Sequence, residues 1–288
     1  MSGTFSLAVR RWYDTNARDL PWRHPGASPW AVLVSEVMLQ QTPVARVLPA
    51  WETWLSRWPR PADLAAAAPG EAVREWGRLG YPRRALRLHE AATAMVERHN
   101  GQVPSSYDEL LALPGVGSYT AAAVAVFGFG ACHAVLDTNV RRVLARVFAG
   151  VADARAASPT RSEREAALAL VPRDDPARHS VAVMELGALV CTARSPRCGV
   201  CPVSAECAWL AAGRPDSEPA RRPQTYAGTD RQVRGRLLAV LRESPDLVAK
   251  PALDVVWDDE VQRERSLAGL VEDGLVEPVG DGYYRLPT

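Results

Sequence analysis

Apolar positions recur at helical spacing over residues 5–17, 30–41, 43–57, 84–98, 119–129, 138–149 and 177–191, which predicts an almost wholly helical body for residues 1–212. Turn signals separate these runs: Pro21, Pro25-Gly26, Pro69-Gly70, Asn100-Gly101 and Pro114-Gly115. Two of the helices carry start signals of their own. Ser28 before Pro29 suits an N-cap and first turn, and Ser106 with Glu109 has capping-box spacing. The pattern then breaks. Residues 213–228 are rich in Pro, Gly and charge and are expected to be a linker. Helical periods resume over 231–243 and 259–272, and "GLVEPVGDGYYRL" (274–286) predicts two short strands around Gly280-Asp281-Gly282. Helices followed by a hairpin predict a small winged-helix-like α+β module over 229–288. The chain shows no internal repeat.

The totals constrain the class of protein more than its activity. At 288 residues, 47% hydrophobic and 23% charged, the chain is an ordinary globular one, long enough for one large or two to three small domains. The start, MSGTFSLAVRRWYD, has no apolar signal core, so a cytoplasmic location is expected. The longest apolar region, around 121–136, is broken by Gly128, Gly130 and His133 and suits packed helix and turn rather than a membrane span. A net charge of +1 hides an uneven distribution: −4 over 229–288 and +5 over 1–228. Thirty-three of the basic residues are arginine, and the one lysine is Lys250.

Four segments could carry chemistry. In "YDELLALPGVGSYTAAAVAVF" (107–127), Gly115-Val116-Gly117 makes a tight turn between two helices. It is either a plain connection or a phosphate site built from the amides of Gly115, Gly117 and Tyr119. In "SPWAVLVSEVMLQQT" (28–42), Glu36 is the only charge. It either lies on a narrow polar stripe with Ser35 and Gln40, or is a desolvated carboxyl kept protonated to act as an acid. In "HAVLDTNVRRVLARVF" (133–148), Asp137 stands where a helix begins. It is either a simple N-cap or a carboxylate that the helix amides keep ionised. Finally, "CTARSPRCGVCPVSAEC" holds four of the five cysteines as Cys191, Cys198, Cys201 and Cys207. Clustered thiols in a cytosolic protein suit a metal better than disulfides, and four could take zinc or a [4Fe–4S] cluster.

The order of these parts resembles the endonuclease III superfamily of helix-hairpin-helix DNA glycosylases, whose four-cysteine run with this spacing binds a [4Fe–4S] cluster. Within it, "RDLPWR" (18–23), "SEVMLQQT" (35–42), "LGY" (79–81), "LPGVGSYTA" (113–121) and "LDTNVRRVLAR" (136–146) are similar to the MutY-type, adenine-specific mismatch glycosylases. The resemblance covers about 5–210 and implies a mainly α fold with an iron–sulfur loop at 191–207. It also implies a monomer that acts at the nucleoid on double-stranded DNA carrying adenine opposite 8-oxoguanine or guanine, with no membrane involvement. Glu36 would protonate adenine at N7 and Asp137 would stabilise the oxocarbenium ion. Asn139 and Tyr119 would order Glu36 and the water. Gln41 and Thr42 would fill the gap left in the duplex, and Tyr81 would wedge beside the lesion pair. Gly115, Gly117 and Ser118, with Arg194 and Arg197 of the cysteine loop, would contact the DNA backbone. Related strand-cleaving enzymes carry a lysine where Tyr119 stands, which implies a monofunctional glycosylase.

The tail departs from the family. Many members carry a long β-rich domain that reads 8-oxoguanine, whereas about sixty residues of helix, helix and hairpin follow the linker here. Two alternatives remain at this level. One is a thymine or uracil mismatch glycosylase on the same scaffold. The other is a zinc-bearing winged-helix protein that binds DNA without cutting it.

Overall fold

The computed structural model describes residues 2–154, 156–216 and 226–288. Of the expected linker, 217–225 lie outside the described residues. The chain is mainly helical, as the periodicity requires. Its helices are α1 (Ser2–Asn16), α2 (Pro29–Leu39), α3 (Val44–Arg57), α4 (Pro61–Ala65), α5 (Pro69–Glu75), α6 (Arg83–His99), α7 (Tyr107–Leu111) and α8 (Ser118–Phe129). There follow α9 (Thr138–Leu144), α10 (Arg161–Leu168), α11 (Pro176–Leu189) and α12 (Ala208–Ala211). The C-terminal part runs α13 (Asp230–Glu243), β1 (Val248–Ala249), α14 (Lys250–Asp254), α15 (Glu260–Glu272), β2 (Glu277–Val279) and β3 (Tyr283–Arg285). Among the described residues no helix is long and apolar enough to cross a membrane.

The chain divides into two compact units. One comprises residues 1–32, 105–111 and 117–221, the other 33–104, 112–116 and 222–288. The C-terminal module thus belongs to a unit that begins inside α2, rather than standing apart behind the linker.

The first unit is built on α1, α9 and α11. Phe5 and Val9 of α1 meet Val140 and Val143 of α9 and Val183 and Leu186 of α11 in one buried cluster. Cys191, Cys201 and Cys207 pack against the same cluster, so the cysteine loop extends this core. A smaller cluster of Ala122, Ala123, Val126 and Val135 holds α8, where small side chains permit close packing.

The second unit has an aromatic centre. Trp54 of α3 meets Trp58 and Trp76 edge to face, with ring centroids 4.7 and 5.6 Å away. Its C-terminal module follows a helix–strand–helix–helix–hairpin path, with an antiparallel sheet in the order β1-β3-β2. Tyr284 pairs with Val248 on one side and Pro278 on the other. The two helices and the hairpin expected after the linker are present as α13, α15 and β2–β3, with β1 and α14 added between them. Hydrogen bonds seat the module on α5. Arg242 donates from Nε to the Val73 carbonyl at 2.9 Å, and Arg74 donates to the carbonyls of Arg242 and Ser244. The Gly70 N–H donates to the Pro287 carbonyl at 2.7 Å, and a Cβ on Gly70 would stand 2.8 Å from that of Leu286. Pro69-Gly70, expected as a turn, therefore opens α5 instead and makes a contact that only glycine allows.

Candidate active site and cluster loop

Asp137 caps α9. One carboxylate oxygen accepts the Val140 N–H at 2.6 Å and the other accepts Asn139 Nδ2 at 2.8 Å. The expectation that helix amides would dominate its ionisation needs correction. Burial pushes the Asp137 carboxyl up, outweighing the Val140 and Asn139 hydrogen bonds and the Arg142 charge that pull it down. Its polar contacts belong to a longer chain. Arg142 donates to Asn139 Oδ1 at 2.8 Å, to the Gly187 carbonyl at 2.8 Å and to the Cys191 carbonyl at 2.7 Å. Asp137, Asn139, Arg142 and the first loop cysteine are thus joined without a break.

One turn on, α9 widens into a five-residue π-helix, 145–149, closed by Gly150 at φ 68°. The widened turn carries Arg146, which is 2% exposed. Its donors reach the Cys191 sulfur at 3.4 Å and the carbonyls of Ala152, Thr192 and Ala193 at 2.8, 2.8 and 3.1 Å. The guanidinium also lies 4.4 Å from the Trp209 ring centre. A buried cation so placed suits a loop whose sulfurs become thiolate.

All four loop cysteines line one pocket together with Val143, Val147, Leu186 and Val203. Burial pushes the Cys191 thiol up and Cys201 up to about 11, so the pocket resists free thiolates and favours ones paired with metal. Among the described residues, no three His, Cys, Asp or Glu converge on a single-ion position. Four thiols around one apolar pocket are a sulfur-only donor set, which suits zinc or an iron–sulfur cluster. Both arginines of the loop are exposed, and Arg197 also donates twice to the Leu189 carbonyl, at 3.1 and 2.5 Å, and so caps α11.

In the second unit, Glu36 is buried at 6% exposure within an apolar helix. At the end of that helix Gln41 and Thr42 part ways. Gln41 is exposed in a left-handed conformation, φ 54°. Thr42 is buried, donates to the carbonyls of Gln40 and Leu79, and accepts from Arg84 at 3.1 Å. Thr42 therefore braces the turn, and only Gln41 is presented outward. Arg84 also donates to the carbonyls of Val37, Gln40 and Gly80 at 2.7, 2.6 and 3.1 Å. It ties the end of α2 to the turn bearing Tyr81, which is 45% exposed at φ 47°.

In the hairpin, Gly115 has φ 73°, and a Cβ there would stand 2.6 Å from Cβ of Arg87. That glycine serves the turn and close packing. Gly117 and Ser118 are exposed, and a Cβ on Gly117 would meet nothing within 4 Å, so this end of α8 is open to a phosphate. Tyr119 is half-buried and lines a pocket of about 240 Å³ with Tyr107, Ser118, His133, Leu136 and Arg164.

Sequence patterning passed over several of these groups. Arg142 and Arg146 follow Asn139 by three and seven positions, on one helical face, a spacing that could have marked them. Glu185 shows the same signal as Glu36, a lone acid in an apolar helix. It is fully buried and held by Arg18 at 2.8 and 2.7 Å and by Arg23 at 2.9 Å. Burial raises its carboxyl pKa, but these hydrogen bonds and charges win and bring it to about 2.

A hairpin opening on an anion-ready helix end, an Asp-capped helix and a four-thiol loop define a helix-hairpin-helix repair protein with an iron–sulfur domain. Residues 34–173 match the HhH-GPD superfamily base excision DNA repair proteins, and residues 191–207 match the iron–sulfur binding domain of endonuclease III. The four cysteines accordingly fit a [4Fe–4S] cluster. An adenine DNA glycosylase of Mycolicibacterium smegmatis is 55% identical over 277 residues, 96% of this chain and 93% of that protein. The chain belongs to the adenine DNA glycosylase family. A thymine/uracil-DNA glycosylase of Pyrobaculum aerophilum is 38% identical over 69% of this chain and 88% of its own length. The solved structure of a thermostable thymine-DNA glycosylase superposes with a TM-score of 0.68 at 28% identity, covering 73% of this chain and 97% of that one.

Proposed function

We propose that this protein excises adenine mispaired with 8-oxoguanine or guanine in double-stranded DNA, acting as a monomer, and leaves the abasic strand uncut. Glu36 delivers a proton to adenine N7, the bond from C1′ to N9 breaks, and adenine leaves with the bonding electron pair. The oxocarbenium ion that remains is stabilised by the Asp137 carboxylate until water adds at C1′. Asn139 holds that carboxylate in place, and Tyr119 lines the neighbouring pocket. Flipping the base out is required, and a mispaired adenine costs less to extrude. Gln41 and Tyr81 would occupy the space it leaves. Gly117, Ser118 and Arg194 would hold phosphates. Cys191, Cys198, Cys201 and Cys207 would hold the iron–sulfur cluster, and that bonding would staple the loop that carries Arg194.

The observation that carries this reading is the cap of Asp137. Its two oxygens are held separately, by Val140 and Asn139, in a chain 55% identical to an adenine DNA glycosylase. The monofunctional reading rests on amine chemistry. A Schiff base needs a neutral amine, and residues 1–228 contain no lysine. Lys250 is bound by both Asp254 and Glu264. Burial alone would lower its pKa, but those two hydrogen bonds outweigh burial and raise it. Glu36→Gln tests the acid role: it should lower single-turnover adenine release at least a hundredfold while the mispaired duplex still binds. A variant that kept more than about a tenth of the wild-type rate would refute that role.

A further inference from the structure

The C-terminal module contains none of the residues assigned to chemistry, yet its first helix reaches the turn that bears Tyr81. Arg231, in the first turn of α13, places its guanidinium carbon 4.6 Å from the centre of the Tyr81 ring. A Cβ built on Gly80 would come within 4.0 Å of an Arg231 terminal nitrogen, so the cation covers the glycine as well as the ring. Arg84 of α6 lies 5.6 Å from the same ring centre. Tyr81 therefore sits within reach of two guanidinium groups, one from the glycosylase body and one from the module.

The ring needs such support. Tyr81 is a bulky residue in the left-handed region, where the Cβ crowds the following carbonyl. It is also 45% exposed, so neighbouring side chains cover only part of the ring. The turn's backbone is held by Trp76 and Arg84, which both donate to the Gly80 carbonyl, and the two cations, Arg84 and Arg231, lie near the ring. Arg231 is itself well mounted. Asp273, just past α15, pairs with Arg83 of α6 at 3.0 Å and with Arg234 of α13. That double pair fixes α13 beside the residues that follow Tyr81. The Arg242–Val73 and Gly70–Pro287 hydrogen bonds fix the rest of the module on α5.

We propose that the module takes part in recognising the mispair, with Arg231 as the positioning residue that holds the Tyr81 ring ready to enter the duplex. This rests on the proposed wedge role of Tyr81. The module as a whole is acidic, which makes it a poor general clamp for phosphate, and a single cation set 4.6 Å from the Tyr81 ring, with the Tyr226 ring further off at 5.9 Å, is a different device. It acts on the mispair through Tyr81 and adds little to the grip on undamaged DNA. An exposed cation–π contact corresponds to about a three- to fivefold change in affinity.

The test is a double-mutant cycle on duplex binding by the full-length, iron-loaded protein. The probe is a duplex with 8-oxoguanine opposite 2′-fluoro-2′-deoxyadenosine, which binds without being cleaved, and a fully paired duplex is the comparison. Arg231→Ala should weaken binding to the mispair about three- to fivefold and binding to the paired duplex less than twofold. Arg231→Lys should recover part of the loss. The same change made in Tyr81→Phe, which keeps the ring face, should cost as much as in the wild type. Made in Tyr81→Leu, it should cost less than twofold. Unchanged mispair affinity in Arg231→Ala, or an equal loss in the Tyr81→Leu background, would overturn the proposal and leave the wedge role standing. If Tyr81→Leu itself bound the mispair as tightly as the wild type, the wedge reading would fail and this proposal with it.

Discussion

Gly187 is a point of close approach between α11 and the helix that Asp137 caps. A Cβ added there would lie 2.7 Å from Asn139 Cβ, 2.9 Å from its carbonyl oxygen and 3.0 Å from its carbonyl carbon. Carbon atoms rest at about 3.5–4.0 Å, so Gly187→Ala obliges α9 to recede by roughly 0.8 Å or more at Asn139. Two of the three neighbouring atoms are backbone, so no rotamer change relieves the clash. Overpacking of this kind costs about 1–3 kcal/mol, or about 2–12 °C in Tm for a domain of about 150–250 residues. Activity should suffer more than stability. Asn139 Nδ2 is 2.8 Å from Asp137, and the Gly187 carbonyl accepts from Arg142 at 2.8 Å. The shift therefore stretches the Arg142–Gly187 link and disturbs Asn139, which holds one of the two Asp137 oxygens. A misplacement near 1 Å can cost about a hundredfold in rate. The assays are thermal unfolding and single-turnover adenine release, with Gly3→Ala as a control because a Cβ there meets nothing within 4 Å. If Gly187→Ala melted within a degree of the wild type and kept more than half its rate, the packing argument for Asp137 would be wrong.

The purified protein should be brown, with broad absorbance near roughly 400 nm and about four irons per chain; one zinc and no iron, after anaerobic preparation, would contradict the cluster. Borohydride should trap no more than a trace of protein on abasic DNA, and Tyr119→Lys should raise both trapping and strand nicking. Strong wild-type trapping that survives Lys250→Ala and a blocked N-terminus would defeat the monofunctional reading. Acid should destabilise the fold through His179, which burial, with a smaller push from Arg10, lowers to about 4. Below about pH 6.5 the unfolded chain takes up a proton that the native state refuses until about pH 4. Up to roughly 3 kcal/mol of stability is therefore lost as pH falls through that window. Urea unfolding between pH 7 and 5 measures this slope, and in His179→Asn it should flatten.

Long periodic helices were legible in the sequence because each presents one continuous apolar stripe. The expected 84–98, 177–191 and 231–243 fall within about two residues of α6, α11 and α13. Helices α4, α5 and α10 were not, since five to eight residues make too few turns to show a period. The two-residue β1 is shorter still. At the site, the sequence marks residues that break a local pattern: Glu36 in an apolar helix, Asp137 at a helix start, four thiols in one loop. It does not mark residues whose meaning lies in what they touch. Arg84, Arg142, Arg146 and Arg231 are four of thirty-three arginines. The fold shows that Arg84 and Arg231 lie near the Tyr81 ring, that Arg142 donates to Asn139 beside Asp137, and that Arg146 lies against the cluster loop. Thr42 shows the opposite limit. It matches a duplex-filling residue by position, but its hydroxyl is spent on Gln40, Leu79 and Arg84.

Base release from a set of duplexes carrying 8-oxoguanine·A, G·A, G·T and G·U, with the freed base identified by mass, addresses the substrate directly. Wild-type protein should release adenine from the first two under single-turnover conditions, leave G·T and G·U intact, and leave every strand unbroken until the abasic sites are cleaved with alkali. Release of thymine or uracil at a comparable rate, or no adenine release from iron-loaded protein, would contradict the assignment of adenine as the substrate base.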